Sequence, residues 1–255
     1  MRDDLTLLLD AANRAADIAR RYFRRDPKVW QKHGDAGPVT EADLEIDTML
    51  RQTLTAARPD YGWLSEETAD DGARLAHDRV FIVDPIDGTR AFIAGQNDWT
   101  HALAVVEHGL VQAAVVHIPE RGETYAAARG RGATRNGEAL AVSQTTALDG
   151  LRVLTGKPTL DPAHWCGPPP AFRRSSRAAL TYRMCLVAEG RYDATLSFRP
   201  CWEWDIAAGA LIVEEAGGTV TNRQGAALRL NAELPQADGL IAAGASHGAI
   251  TEALA

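Results

Sequence analysis

The chain has 255 residues, 45% of them hydrophobic and 24% charged, with a net charge of −7. That length buries a large core, as one domain or as two tightly packed halves, and the composition excludes a disordered or fibrous chain. The negative balance argues against a nucleic-acid-binding surface, which needs a clustered positive field, and the one basic cluster, Arg173, Arg174 and Arg177, reads as a solvated face.

In chain order, Leu5, Leu8, Leu9, Ala12, Ala16, Ala19, Tyr22 and Phe23 predict an amphipathic helix over 4–23. Acids at Asp3 and Asp4 and the short Leu7-Leu8-Leu9 run argue against a signal peptide or a membrane span there. Lys32 to Pro38, with two glycines and a proline, reads as a loop that could be mobile or close over a site. Thr40 and Asp43 make a capping-box pattern ahead of Ile46, Met49, Leu50 and Leu54 at helical spacing, which alone explains both polar residues. Pro59 and Gly62 end that helix, and Ser65-Glu66-Glu67-Thr68 follows. Paired acids on a loop are ordinarily solvated, and these gain meaning only if the fold brings them to further acids.

Those acids come next. Arg79 to Val83 is a β-branched run that predicts a buried strand, ended by Asp84 because Pro85 removes an amide donor and Asp87-Gly88 bends the chain. Asp84-Pro85-Ile86-Asp87-Gly88-Thr89 is good turn chemistry with no function attached. The same spacing could aim two carboxylates at one point, and oxygen-only ligands suit a hard cation such as magnesium. Gly88 and Thr89 open an apolar stretch that could begin a helical turn, whose free amides beside a cation would make a phosphate site.

Thr100 to Val106 and Leu110 to Ile118 are valine-rich runs joined by a hairpin signal, Glu123 to Ala128 adds a strand, and Asn136-Gly137 signals a second hairpin. The first half, 1–145, is therefore helices plus an antiparallel meander. From 146 to 255 helices and strands alternate: strands at Leu151–Leu154, Tyr192–Phe198 and Leu240–Ala243, helices at Ala178–Glu189 and Asp205–Ala216, and a terminal helix, implying an α/β half. Cys166, Cys185 and Cys201 stand far apart without a CxxC pair, which fits a reducing cytoplasm, and the seven histidines lack metal-site spacing. Asp205 falls in the first turn of an alanine-rich helix, where capping and the macrodipole favour a carboxylate without further role.

Taken together, Lys32-(x)7-Thr40-x-x-Asp43, Ser65-Glu66-Glu67, Asp84-Pro-Ile-Asp-Gly-Thr89, Trp204-Asp205-x-Ala-Ala-Gly209 and Glu215-Ala216-Gly217-Gly218 resemble, in order and spacing over the whole chain, the inositol monophosphatase superfamily. The resemblance implies a layered αβαβα sandwich: an α+β half with an antiparallel sheet and two helices, then an α/β half, with the active site between them. It implies Glu66, Asp84, Asp87, Asp205 and the Ile86 carbonyl as ligands of two or three magnesium ions. It further implies Gly88 and Thr89 amides on the phosphate, and Asp43, the Thr89 hydroxyl and Glu66 on the attacking water. The aspartyl-phosphate phosphatase pattern is one residue shorter than Asp84-Pro85-Ile86-Asp87. The substrate is then a small phosphate ester, with a homodimer and lithium inhibition implied by resemblance only. Cys185 to Gly190 with Glu203-Trp204-Asp205 looks most like bacterial 3′(2′),5′-bisphosphate nucleotidases, inositol-1-monophosphatase and histidinol-phosphatase being the alternatives and a non-catalytic metal-binding relative another. Inositol monophosphatases carry an acid seven residues before the aspartate matching Asp205; Phe198 stands there, where it could suit a nucleobase while Arg183 meets a second phosphate.

Overall fold

The computed structural model describes residues 3–32 and 37–255. Helix α1 (Asp4–Tyr22) starts where the Asp3 carboxylate accepts the Thr6 amide at 2.9 Å. A short hairpin, β1 (Val29–Gln31) with β2 (Pro38–Thr40), leads into α2 (Glu41–Ala57). Residues 33–36 of the proposed Lys32 to Pro38 loop lie outside the described residues. The predicted capping box forms at α2: the Asp43 amide donates to Thr40 Oγ1 at 3.4 Å, and the Thr40 amide donates to Asp43 Oδ2 at 2.9 Å.

The large sheet has seven strands in sequential order: β3 (Gly62–Ser65), β4 (Arg79–Asp87), β5 (Thr100–Glu107), β6 (Leu110–Ile118), β7 (Glu123–Ala128), β8 (Ala133–Arg135) and β9 (Glu138–Ala139). All neighbours are antiparallel except β3 and β4, which run parallel because a loop over 66–78 carries the chain back across the sheet end. Side chains alternate in period two. Phe81, Val83, Leu103 and Val105 face α1 and α2, which bury Leu8, Ala12, Ala15, Ile46, Leu50 and Leu54 against them. Each fully buried leucine or isoleucine there contributes roughly 1.5–3 kcal/mol before entropy is counted. Val80, Ile82, Ala102, Ala104 and Val106 face the opposite way, against the second helical layer.

That layer follows from the second half. After β10 (Arg152–Thr155) and β11 (Arg173–Ser175) come α4 (Leu180–Ala188), β12 (Ala194–Ser197), β13 (Cys201–Trp202) and α5 (Glu203–Glu215), α3 (Thr89–Ile93) having been a single turn after β4. Then follow β14 (Thr219–Thr221), β15 (Gln236–Ala237), β16 (Leu240–Ala243) and α6 (His247–Glu252). Five of these strands form a mixed sheet in the order β11-β10-β12-β16-β14, parallel up to β12 and antiparallel at β16 and β14. Its far face packs Val153, Leu196, Ile241 and Ala243 against Trp165 and Ile250 of α6. The stacking is helix, sheet, helix, sheet, helix. No helix among the described residues is long and apolar enough to cross a membrane.

Two readings of the sequence change. The strand expected to end at Asp84 runs on to Asp87 through a bulge, because Asp84 pairs with Ala102 and Asp87 with Thr100, so the proline falls where no ladder bond is required of it. The arginine cluster is partly a strand: β11 pairs along β10, its side chains exposed or half-buried at the sheet edge.

Candidate metal centre and active site

The bulge on β4 sets Asp84 and Asp87 on one side of a kinked strand end, and α5 delivers Asp205 from its first turn. One carboxylate oxygen from each of Asp84, Asp87 and Asp205 lies within 4.8 Å of the others. Asp84 is 1% exposed, and its Oδ1 has no hydrogen-bond partner among the described residues. An orphaned, buried carboxylate oxygen on an acid with two more carboxylates close by costs several kcal/mol unless a cation neutralises it. Burial first, then the charges of Glu66, Asp87 and Asp205, push the Asp84 carboxyl well above its usual range. Asp205 is raised for the same reasons, burial first and Asp87 next. Oxygen donors without nitrogen or sulfur fit a hard cation.

Asp87 is the best supported of the three. The amides of Leu180 and Thr181, the first residues of α4, donate to its two oxygens at 3.3 and 2.7 Å, and the Thr181 hydroxyl bonds Oδ2 as well. Burial raises Asp87 to about 6, and the Thr181 bonds and Arg183 hold it back from rising further. Thr181 carries no signal in the sequence; only the start of a helix at 180, two residues later than expected, would have exposed free amides there.

Glu66 stands beside the group rather than within it. Lys32 Nζ meets Glu66 Oε1 at 2.7 Å and Glu67 Oε1 at 2.7 Å. Burial works against the Lys32 ammonium, but the two acids outweigh it and its pKa rises. Glu67 is pushed up to about 7 by burial and by Glu66, more than Lys32 pulls it down. The charge of Glu66 still raises Asp84, Asp87 and Asp205.

On the other side, the Thr89 hydroxyl lies 3.1 Å from the Ile86 carbonyl and 3.3 Å from Asp43 Oδ1. Asp43 is fully buried, and burial lifts it to about 6 despite the Thr40 bonds. Its Oδ2 caps α2 and its Oδ1 faces Thr89, so one carboxylate carries both the capping role and a place at the site. Gly88 turns the chain into α3 with φ +98°, and a Cβ there would meet the Asp98 carbonyl oxygen at 3.2 Å.

A cleft of about 880 Å³ opens beside the acids. Lys32, Arg90, Arg183 and Arg199 give it positive groups, and Phe198, Trp202 and Trp204 give it aromatic walls. Trp202 and Trp204 stack with ring centroids 4.8 Å apart and planes at 8°. Arg183 is partly engaged already: its Nε donates to the Arg177 carbonyl at 2.6 Å and Nη2 to the Ala178 carbonyl at 3.3 Å. Phe198 sits under the Arg223 guanidinium, 5.0 Å from its centroid, and edge-on to His164.

The model of the inositol monophosphatase family matches residues 1–255. The Nus factor SuhB of Pseudomonas aeruginosa is 34% identical over 239 residues, covering 88% of this chain and 87% of that protein. A histidinol-phosphatase of Mycobacterium tuberculosis is 36% identical over 244 residues, 88% of this chain and 89% of that one. Among solved structures, the IMPase of Thermotoga maritima superposes with a TM-score of 0.83 at 29% identity, covering 98% of this chain and 96% of that one.

Proposed function

The chain belongs to the inositol monophosphatase family and is a phosphoric monoester hydrolase; we propose that its substrate is a 3′(2′),5′-bisphosphate nucleotide such as 3′-phosphoadenosine 5′-phosphate. The observation that carries this reading is the pairing, in one cleft, of the acid cluster with aromatic walls and several arginines. A base needs a planar apolar wall, a second phosphate needs a guanidinium, and a polyol ring needs neither.

Magnesium is the group the family implies, and the orphaned Asp84 oxygen and the all-oxygen donor set fit it. Asp84, Asp87, Asp205 and the Ile86 carbonyl would hold it, with Glu66 on the Lys32 side. When bound it supplies charge neutralisation on the phosphoryl oxygens and a more acidic water. The chain's own residues do the rest. Thr181 and the α4 amides fix Asp87; Asp43 and the Thr89 hydroxyl orient the attacking water. The Gly88 and Thr89 amides receive the phosphate, and Phe198 with Arg183 receive the base and the second phosphate.

The test is phosphate release, with magnesium and with EDTA, from 3′-phosphoadenosine 5′-phosphate, inositol 1-phosphate and histidinol phosphate side by side. A hundredfold preference in kcat/KM for the nucleotide corresponds to about 2.7 kcal/mol of transition-state discrimination and would support the reading. Histidinol phosphate is the second reading, favoured by the histidinol-phosphatase relative; a win for it moves Phe198 to the imidazole and removes Arg183 from substrate contact. Calorimetric titration with magnesium counts the ions, two or three on this reading. Inhibition by millimolar lithium belongs to it too, and unchanged turnover would count against it.

A further inference from the structure

The bulge that carries Asp84 and Asp87 has an unusual support. Pro85 and Ile86 together oppose one residue of β5, His101, so two carbonyls leave the regular ladder. The Ile86 carbonyl lies 3.1 Å from the Thr89 hydroxyl, and the Pro85 carbonyl meets His101 Nδ1 at 2.5 Å. A carbonyl only accepts, so the proton must sit on Nδ1 and the ring takes that tautomer. Nε2 is then a bare acceptor, buried, with no partner among the described residues.

The ring cannot easily turn away. His101 is fully buried, its plane edge-on to Trp99 with centroids 5.4 Å apart, and it faces His117 at 6.3 Å and 23°. His117 is itself held by Thr124, 2.8 Å from its Nδ1. Burial drives His101 down to about 3, so it stays a neutral donor.

We propose that His101 is a positioning residue for the metal centre: by donating Nδ1–H to the Pro85 carbonyl it fixes the bulge, and with it the relative placement of Asp84, the Ile86 carbonyl and Asp87. This rests on the metal-site reading above and does not depend on which ester is hydrolysed. Groups behind metal ligands commonly carry such weight, their removal costing 10–100-fold in affinity.

The discriminating variants are His101→Asn, His101→Gln and His101→Leu. An asparagine amide nitrogen overlays Nδ1 and can reach the Pro85 carbonyl; the glutamine amide overlays Nε2 and cannot; leucine has no donor. Magnesium and manganese binding are measured by calorimetry without substrate, with kcat and KM alongside and cooperative urea unfolding to show that each variant folds. We expect His101→Leu and His101→Gln to bind metal roughly tenfold more weakly or worse and to lose kcat more than KM, and His101→Asn to remain within a few-fold of the parent. Metal binding that is unchanged in His101→Leu, or equally weak in all three variants, overturns the proposal. A ring 15N–1H correlation on the metal-free parent gives a readout that needs no metal: an Nδ1-bound proton supports the assignment, and an Nε2-bound proton overturns it. A parent that binds no metal but keeps the Nδ1 proton defeats the metal-site reading while leaving the bulge contact standing.

Discussion

Replacing Asp84 by asparagine is expected to make the metal-free protein more stable while ending its response to magnesium. One carboxylate oxygen from each of three acids lies within 4.8 Å of the others, and the buried Asp84 Oδ1 has no partner among the described residues. At that separation two full charges repel by about 3.5 kcal/mol for an effective dielectric of about 20, and Asp84 faces two such neighbours. Burial and those charges already raise its carboxyl, so a shared proton relieves part of the repulsion. The net gain from removing the charge is therefore about 1–2 kcal/mol. Magnesium at a hundred times its dissociation constant stabilises the parent by about 2.7 kcal/mol, an increment Asp84→Asn should lose together with phosphate release. Urea unfolding in EDTA and in magnesium, for parent and variant, measures both quantities. If Asp84→Asn is less stable than the parent in EDTA, or gains as much from magnesium, the acids are not a strained cation site.

Three further perturbations test neighbouring parts. Thr181→Val keeps the amide to Asp87 and deletes the hydroxyl, so magnesium affinity should fall roughly tenfold while Thr181→Ser stays near the parent; equal behaviour of the two would remove Thr181 from the site. Gly209→Ala sets a Cβ 2.7 Å from Met184 Sδ and 2.8 Å from its Cβ, and should cost about 1–3 kcal/mol by overpacking, against a helix-propensity gain of about 1 kcal/mol; a stabilised variant in urea would refute the close approach. His117, lowered to about 4 by burial and then by Arg20, lends about 3 kcal/mol that is present above the ordinary histidine value and lost as pH falls from near 6.5 toward 4. Unfolding followed across that window should show His117→Gln with a shallower acid limb, and parallel limbs would refute the assignment.

Much of this site was legible from residues whose chemistry is local. Helix α2 announces itself because Thr40 and Asp43 satisfy each other's backbone, and the hairpin at Asn136-Gly137 forms because both residues accept positive φ. The acids of the Asp84–Asp87 turn could be read as ligands once they were set beside the distant motifs. What could not be read is what arrives from across the fold. Leu180 and Thr181 reach Asp87 across 93 and 94 residues of sequence, and nothing in Leu-Thr-Tyr-Arg marks them. Lys32 was visible only as part of a spacing, not as the ammonium that meets Glu66 and Glu67. The strand at 173–175 escaped because three exposed or half-buried polar residues have no apolar period to betray them.

The centre is assembled by the middle layer. Asp84 and Asp87 belong to the end of one sheet, Asp205 to α5 and the amides on Asp87 to α4, and both helices are packed between the two sheets. The spacing between ligands is therefore set by how closely α4 and α5 approach each other and the bulge. Gly209 permits the first approach, since any side chain there meets Met184, and His101 with Thr181 fixes the second. None of these three groups needs to touch a phosphate to matter. A site whose acids repel each other holds its geometry only if its surroundings are stiffer than the repulsion is strong, and the close apolar packing of α4 against α5 supplies that stiffness.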